Sequence, residues 1–213
     1  MVKTLVIGAN GQIGKLLVKQ LRQQQQQAVR VMLRDVQQAS FFTDLGAEVV
    51  EGDLEQTLPD DVFTGCDQIV FTAGSGGKTG ADKTILVDLW GACKSIDMAK
   101  KHHAKQVIMV SAQNAGDPEN GTPAIKHYNV CKHFADNYLI DSGLPYTILR
   151  PGRLTDEPAN ERITTQRPAD KADKQISRAN VALTIAEVLG KSRYLNQIYE
   201  LYQGQQTIAE ALS

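Results

Sequence analysis

The residues with the clearest chemical promise are Tyr128 and Lys132, whose four-residue spacing places both on one face of a helix. A tyrosine hydroxyl can donate a proton when a nearby ammonium stabilises the phenolate left behind. The same spacing also arises by chance on plain helix surface, so context separates the two readings. Here the pair falls within a helix predicted over about 123–142, which Gly143 stops. An apolar strand, Gln106–Val110, precedes that helix and runs into Ser111-Ala112-Gln113-Asn114. A serine at that strand end could orient a substrate oxygen beside the tyrosine.

The element that must position such a pair opens the chain. In MVKTLVIGANGQIG, the apolar run Leu5-Val6-Ile7 leads into Gly8, Asn10, Gly11, Gln12, Ile13 and Gly14, followed by the helical pattern Lys15-Leu16-Leu17-Val18. This reads as a buried strand, a tight glycine turn and a helix start. Such a turn lets backbone approach a pyrophosphate, and the unpaired N–H groups of the helix start face its charge. The Gly-x-x-Gly-x-x-Gly spacing assigns one glycine to the tight turn, one to ligand approach and one to helix–strand packing.

Strand–helix alternation continues through Val29–Leu33, Ala47–Val50, Gln68–Phe71, a long helix over about 81–102, Gln106–Val110, the 123–142 helix and Tyr146–Leu149. A short helix is predicted near Val36–Leu45 and a helix at Ser177–Leu189, with a last strand at Ile198–Leu201 and a terminal helix. The fold class is therefore α/β, a doubly wound parallel sheet with helices on both faces. Residues 1–150 form the cofactor-binding core. Residues 151–213 form a small substrate lobe with a closing strand and helix, and Arg153–Asp173 act as lid. In that lid Arg153, Arg162 and Arg167 are either anion contacts or solvated charges. The loops after the strands carry the chemistry, because open α/β sheets bind ligands at the carboxyl ends of their strands. Arg34 follows the second strand, where an arginine holds a 2′-phosphate and a carboxylate, such as the adjoining Asp35, would hold ribose hydroxyls; NADP is favoured over NAD, with an exposed Arg34–Asp35 turn that holds no ligand as the alternative. Asp53 and Leu54 follow the third strand, with Asp53 either accepting from an adenine amino group or capping its own turn. After the fourth strand the small residues Ala73, Gly74 and Ser75 leave room for a cofactor against the backbone.

Composition narrows the classes. A net charge of −1 gives no electrostatic reason to expect nucleic acid or an anionic membrane. No apolar run approaches the roughly 20 residues of a membrane span, and no secretory signal pattern opens the chain. Cys66, Cys93 and Cys131 lack CxxC spacing, which fits a reduced cytosol, and the expected location is cytoplasmic. The four histidines lack metal spacing; His102 and His103 read as surface, Gln23–Gln27 as a helix end and loop, and Trp90 as sheet-facing core. A monomer or homodimer is expected.

The motifs Gly8–Gly14, Phe71–Gly77, Val87-Asp88-Leu89, Ser111, Tyr128-x-x-x-Lys132 and Leu149-Arg150-Pro151-Gly152 cover almost the whole chain. With them the chain resembles an atypical short-chain dehydrogenase/reductase of the small, extended-like NAD(P)-binding subgroup, close to epimerase/dehydratase-like proteins. The resemblance implies NADP with its pyrophosphate at Gly11–Ile13, its 2′-phosphate at Arg34 and its adenine beside Asp53. It also implies that Lys132 binds the nicotinamide ribose and lowers the Tyr128 pKa, with Pro151 and Gly152 near the nicotinamide. Asp88 stands where the family has an active-site asparagine, and the family serine aligns with Ser111 or Ala112. No acidic pair adjoins Ser111, which weakens a sugar-dehydratase reading. Three functions follow: an NADP-dependent reductase of a small carbonyl, quinone or related acceptor; a non-catalytic NADP(H) sensor; and an NAD(P)-dependent epimerase.

Overall fold

The computed structural model describes residues 2–23 and 27–213, so residues 24–26 of the glutamine run lie outside the described residues. Apolar runs form the central strands β1 (Lys3–Ile7), β2 (Ala28–Leu33), β3 (Glu48–Glu51), β4 (Gln68–Phe71), β5 (Gln106–Val110) and β6 (Tyr146–Pro151). A later strand, β10 (Gln197–Gln203), joins them in parallel, giving the order β3-β2-β1-β4-β5-β6-β10. Leu5, Val6 and Ile7 are fully buried, as strands covered on both faces require. Ile7 lies beside both Met32 and Phe71 in register, so the loops after β1, β2 and β4 leave the sheet at one edge. The chain order reverses between β1 and β4, the place where open sheets of this kind part to admit a ligand.

Helices α1 (Gln12–Gln23), α2 (Ser40–Asp44) and α7 (Arg178–Val188) cover one face, around Leu17, Val18, Phe42, Val181 and Ile185. The other face is covered by α3 (Asp60–Phe63), α5 (Ala92–Lys101) and α6 (Lys126–Asp141), around Phe63, Ile96, Ala135 and Leu139. The predicted helix over 81–102 is a composite: α4 (Ala81–Lys83), a π-helical stretch Thr84–Gly91, then α5. π turns are rare and concentrate at functional sites. The predicted 123–142 helix opens with a 3₁₀ turn, Pro123–Ile125, continues as α6 and stops before Gly143, whose φ of +78° suits glycine.

Several expectations need correction. Trp90 is not core but 52% exposed, because the buried stripe of the π stretch is Thr84, Asp88 and Gly91, which turns Trp90 outward. His102 is half-buried, its ring stacked on Phe63 and its Nε2 3.0 Å from Asp60 Oδ1, whereas His103 is exposed. The 153–173 stretch is not all loop. It contains β7 (Arg153–Thr155), paired with β9 (Gln175–Ser177), and β8 (Arg162–Thr164), antiparallel to β10 and to β11 (Gln206–Thr207). Its arginines bind the fold itself: Arg153 donates to the Gln175 side chain, Arg162 Nη1 to Gln205 O at 2.6 Å, and Arg167 Nε to Glu200 Oε2 at 2.8 Å. The terminal helix α8 (Ile208–Ala211) is held by a Thr207–Glu210 capping box.

Candidate active site

The three glycines of the opening turn differ in their surroundings. Gly8 has φ +83°, and a Cβ there would sit 2.5 Å from Ala73 N. A Cβ on Gly14 would sit 2.5 Å from Gly8 O, so both positions are set by backbone packing. Gly11 has only Gly8 O nearby, at 3.2 Å, and its outer side faces open space in the cleft. Lys15 N donates to Gly11 O at 2.9 Å, so the first-turn amides of Gln12, Ile13 and Gly14 are those a helix start leaves unpaired. No acidic side chain stands in this first turn to compete for them.

This turn forms one wall of a cleft of about 710 Å³ at the switch point. Gly8, Asn10, Gly11, Arg34, Asp53, Leu54, Ala73, Gly74 and Ser75 all line it, so nine residues singled out for a cofactor converge in space. Asp53 Oδ1 accepts from Glu55 N at 2.9 Å, so it caps its turn while also facing the cleft. Asp35 is spent similarly on Gln37 N at 2.9 Å, which leaves the Arg34 side chain projecting, 73% exposed. Asn10 donates its side-chain amide to Gln38 at the cleft wall. Free helix amides, a glycine with open space and a projecting arginine fit the adenosine-diphosphate half of a nicotinamide dinucleotide. Sequence reasoning missed several lining residues, among them Gln38, Thr79, Glu55 and Lys83, and the side chains of the last two meet at 2.5 Å across the rim. Glu55 was within reach, lying two residues beyond Asp53 in the same loop. Lys83 carried no local signal.

Tyr128 and Lys132 do not line this cleft; Lys132 is buried behind it, and Tyr128 beside it is half-buried. Lys132 Nζ donates to Val110 O at 3.2 Å and lies 3.4 Å from Asp88 Oδ1, with the Phe71 and Tyr128 ring centroids at 5.8 and 5.9 Å. Asp88 Oδ2 accepts from Ser75 N at 2.9 Å. Asp88 therefore ties the cleft loop after β4 to the helix bearing Tyr128. Gly74 passes close over it, where a Cβ would come within 3.1 Å of Asp88 Oδ1. Burial pushes the Tyr128 phenol above the ordinary tyrosine range, with the Lys132 charge opposing. Burial works against the Lys132 ammonium, yet Tyr128, Asp88 and Asp136 outweigh it and raise its pKa.

Ser111 and Ala112 are both buried at the end of β5. The Ser111 hydroxyl lies on the Asp136 side, and its Oγ has no hydrogen-bond partner within 3.5 Å among the described residues. Asp136 is fully buried and accepts from Arg150 Nε at 2.9 Å; burial raises its pKa against the influence of Arg150 and Ser111. Pro151 O accepts from Gln113 N at 3.0 Å, and Gly152 N donates to Leu201 O at 2.9 Å. These two residues close the strand end and do not line the cleft.

An open parallel sheet with a glycine turn at its switch point is the architecture of Rossmann-type NAD(P)-binding proteins. The NAD(P)H-binding family matches residues 8–192, and the chain belongs to that family. A Bacillus subtilis (strain 168) relative, named as the uncharacterised sugar epimerase YhfK, is 43% identical over 214 residues, covering 99% of each chain. A solved structure from Bacillus halodurans, assigned provisionally as an NAD-dependent epimerase/dehydratase, superposes with a TM-score of 0.93 at 36% identity, covering 100% of this chain and 99% of that one. The oxidoreductase ylbE from Lactococcus lactis gives 0.85 at 31% identity, covering 99% and 95%. These likenesses accord with the resemblance to atypical short-chain dehydrogenases/reductases. No described helix is long and apolar enough to cross a membrane.

Proposed function

We propose that this chain is an NADP(H)-dependent oxidoreductase that moves hydride to or from a small carbonyl, quinone or related substrate. The observation that carries the reading is continuity: the cleft wall at Ser75 is tied through Asp88 to Lys132 and hence to Tyr128. Gly11, the α1 start and Arg34 would hold the adenosine-diphosphate half, with Asp53 and Leu54 beside the adenine. Lys132, Pro151 and Gly152 would serve the nicotinamide end. When bound, the nicotinamide would supply or accept the hydride exchanged with the substrate carbon. Tyr128 donates the proton to the substrate oxygen, Lys132 stabilises the phenolate that remains, and Ser111 orients the oxygen. Asp88 holds the Lys132 ammonium in place.

The test is a titration with NADPH and NADH by nicotinamide fluorescence, followed by NADPH oxidation against a panel of carbonyls and quinones. Tyr128→Phe should lower turnover by about 10²–10⁴-fold and leave NADPH affinity unchanged. Turnover equal to wild type would overturn the proton-donor role. A second reading, a non-catalytic NADP(H) sensor, is favoured by the near-complete burial of Lys132 and by the separation of Tyr128 from the cleft lining. It predicts NADPH binding without turnover on any substrate of the panel. The name of the Bacillus subtilis relative favours an epimerase, which would form product with no net NADPH consumption.

A further inference from the structure

Three charged side chains from separate segments meet at the cleft rim. Arg34 comes from the end of β2, Glu55 from the loop after β3, and Lys83 from α4. Glu55 Oε2 is 2.5 Å from Lys83 Nζ, and its Oε1 is 4.0 Å from Arg34 Nη1. One carboxylate thus bridges two cations that would otherwise repel each other. The other two rim acids are engaged with backbone amides, Asp35 with Gln37 N and Asp53 with Glu55 N. Glu55 is the one acid within ion-pair distance of either cation among the described residues. Both cations are exposed while Glu55 is half-buried, and surface pairs are worth only about 0–1 kcal/mol, so a ligand anion can compete with Glu55 for the two cations.

We propose that Glu55 and Lys83 set the choice between a 2′-phosphorylated and an unphosphorylated dinucleotide. Lys83 is the second phosphate cation beside Arg34, and Glu55 is the built-in anion that the phosphate displaces. The inference rests on the dinucleotide-binding reading above and adds two specificity residues to it. A phosphate monoester carries a charge of about −1.5 to −2 near neutral pH, against −1 for the carboxylate. It therefore satisfies both cations better than Glu55 does, whereas ribose hydroxyls leave Glu55 where it is.

The experiment measures NADPH and NADH affinities of wild type, Lys83→Met, Lys83→Arg and Glu55→Gln, at low and at physiological salt. Lys83→Met should weaken NADPH about tenfold or more with little effect on NADH, and Lys83→Arg should restore most of the loss. Glu55→Gln should strengthen NADPH and leave NADH unchanged. The NADPH-to-NADH affinity ratio of wild type should shrink as salt rises. Equal changes for the two cofactors in Lys83→Met, or weaker NADPH binding in Glu55→Gln, would overturn the proposal while leaving the dinucleotide site intact. Binding of neither cofactor by wild type would instead overturn the dinucleotide-binding reading itself.

Discussion

The site contains two sets of ion pairs built from the same chemistry and placed in opposite surroundings. At the rim, Arg34, Glu55 and Lys83 have side-chain exposures of 73%, 17% and 42%; behind the cleft, Lys132 and Asp88 have 2% and 0%. Water and salt screen the first set, so its pairs are weak and can be exchanged for a ligand anion. The second set is closed off, and each charge depends on the other because neither has solvent to fall back on. The rim is therefore suited to recognition and the buried pair to holding geometry. Lys132 and Asp88 fix the cleft loop against the tyrosine helix, whereas the rim leaves its cations available.

The sharpest way to break this comparison is to remove one acid from each set. Asp88→Ala should cost about 3–5 kcal/mol of unfolding free energy, since it strands a buried ammonium. Glu55→Gln should cost less than about 1 kcal/mol. The double variant Asp88→Leu/Lys132→Met should regain much of the loss, because an apolar pair needs no compensation. Urea unfolding of the set measures all three; equal losses for Asp88→Ala and Glu55→Gln would erase the distinction.

A subtler effect lies in pH. Burial raises the Tyr128 pKa and Lys132 opposes that rise. With Tyr128 as the proposed proton donor, reduction needs the protonated phenol, so kcat/KM in that direction should hold at lower pH and fall as pH rises through the Tyr128 pKa. Lys132→Met, assayed where it is folded, removes the opposing charge and should move that fall to higher pH. An alkaline limb that stays in place would separate Lys132 from the tyrosine.

The smallest effect is expected at Trp90. With half its surface exposed, Trp90→Ala should change stability by no more than about 0.5 kcal/mol. Ile96→Ala, on the same composite helix but 1% exposed, should cost about 2–5 kcal/mol. Thermal unfolding of the two variants side by side tests which face of that helix the core uses.

Much of the fold was readable in advance because its signals are local. The strands β1 to β6 are short apolar runs separated by helical periods, and the glycine turn carries its own stereochemistry. The strands β7, β8, β9 and β11 left no such trace. They are two or three residues long and largely polar, as in Arg162-Ile163-Thr164, and they exist only because a partner strand lies alongside. Of the site, the cleft residues of the opening turn and of the loops after β2, β3 and β4 were legible because strand ends announce themselves. The surroundings of Ser111 were not, since its neighbour Asp136 lies 25 positions further on in α6.

By itself, then, the amino-acid sequence determined the periodicities, the turn at Gly8–Gly14 and the alternation that makes a parallel sheet, all consequences of neighbours within a few residues. Tertiary structure alone decided that Asp88 would face Lys132, that Glu55 would stand between Arg34 and Lys83, and that Trp90 would face solvent. Charge pairing and burial are settled by what the fold brings close, and no local pattern encodes the distance between residues so far apart in the chain.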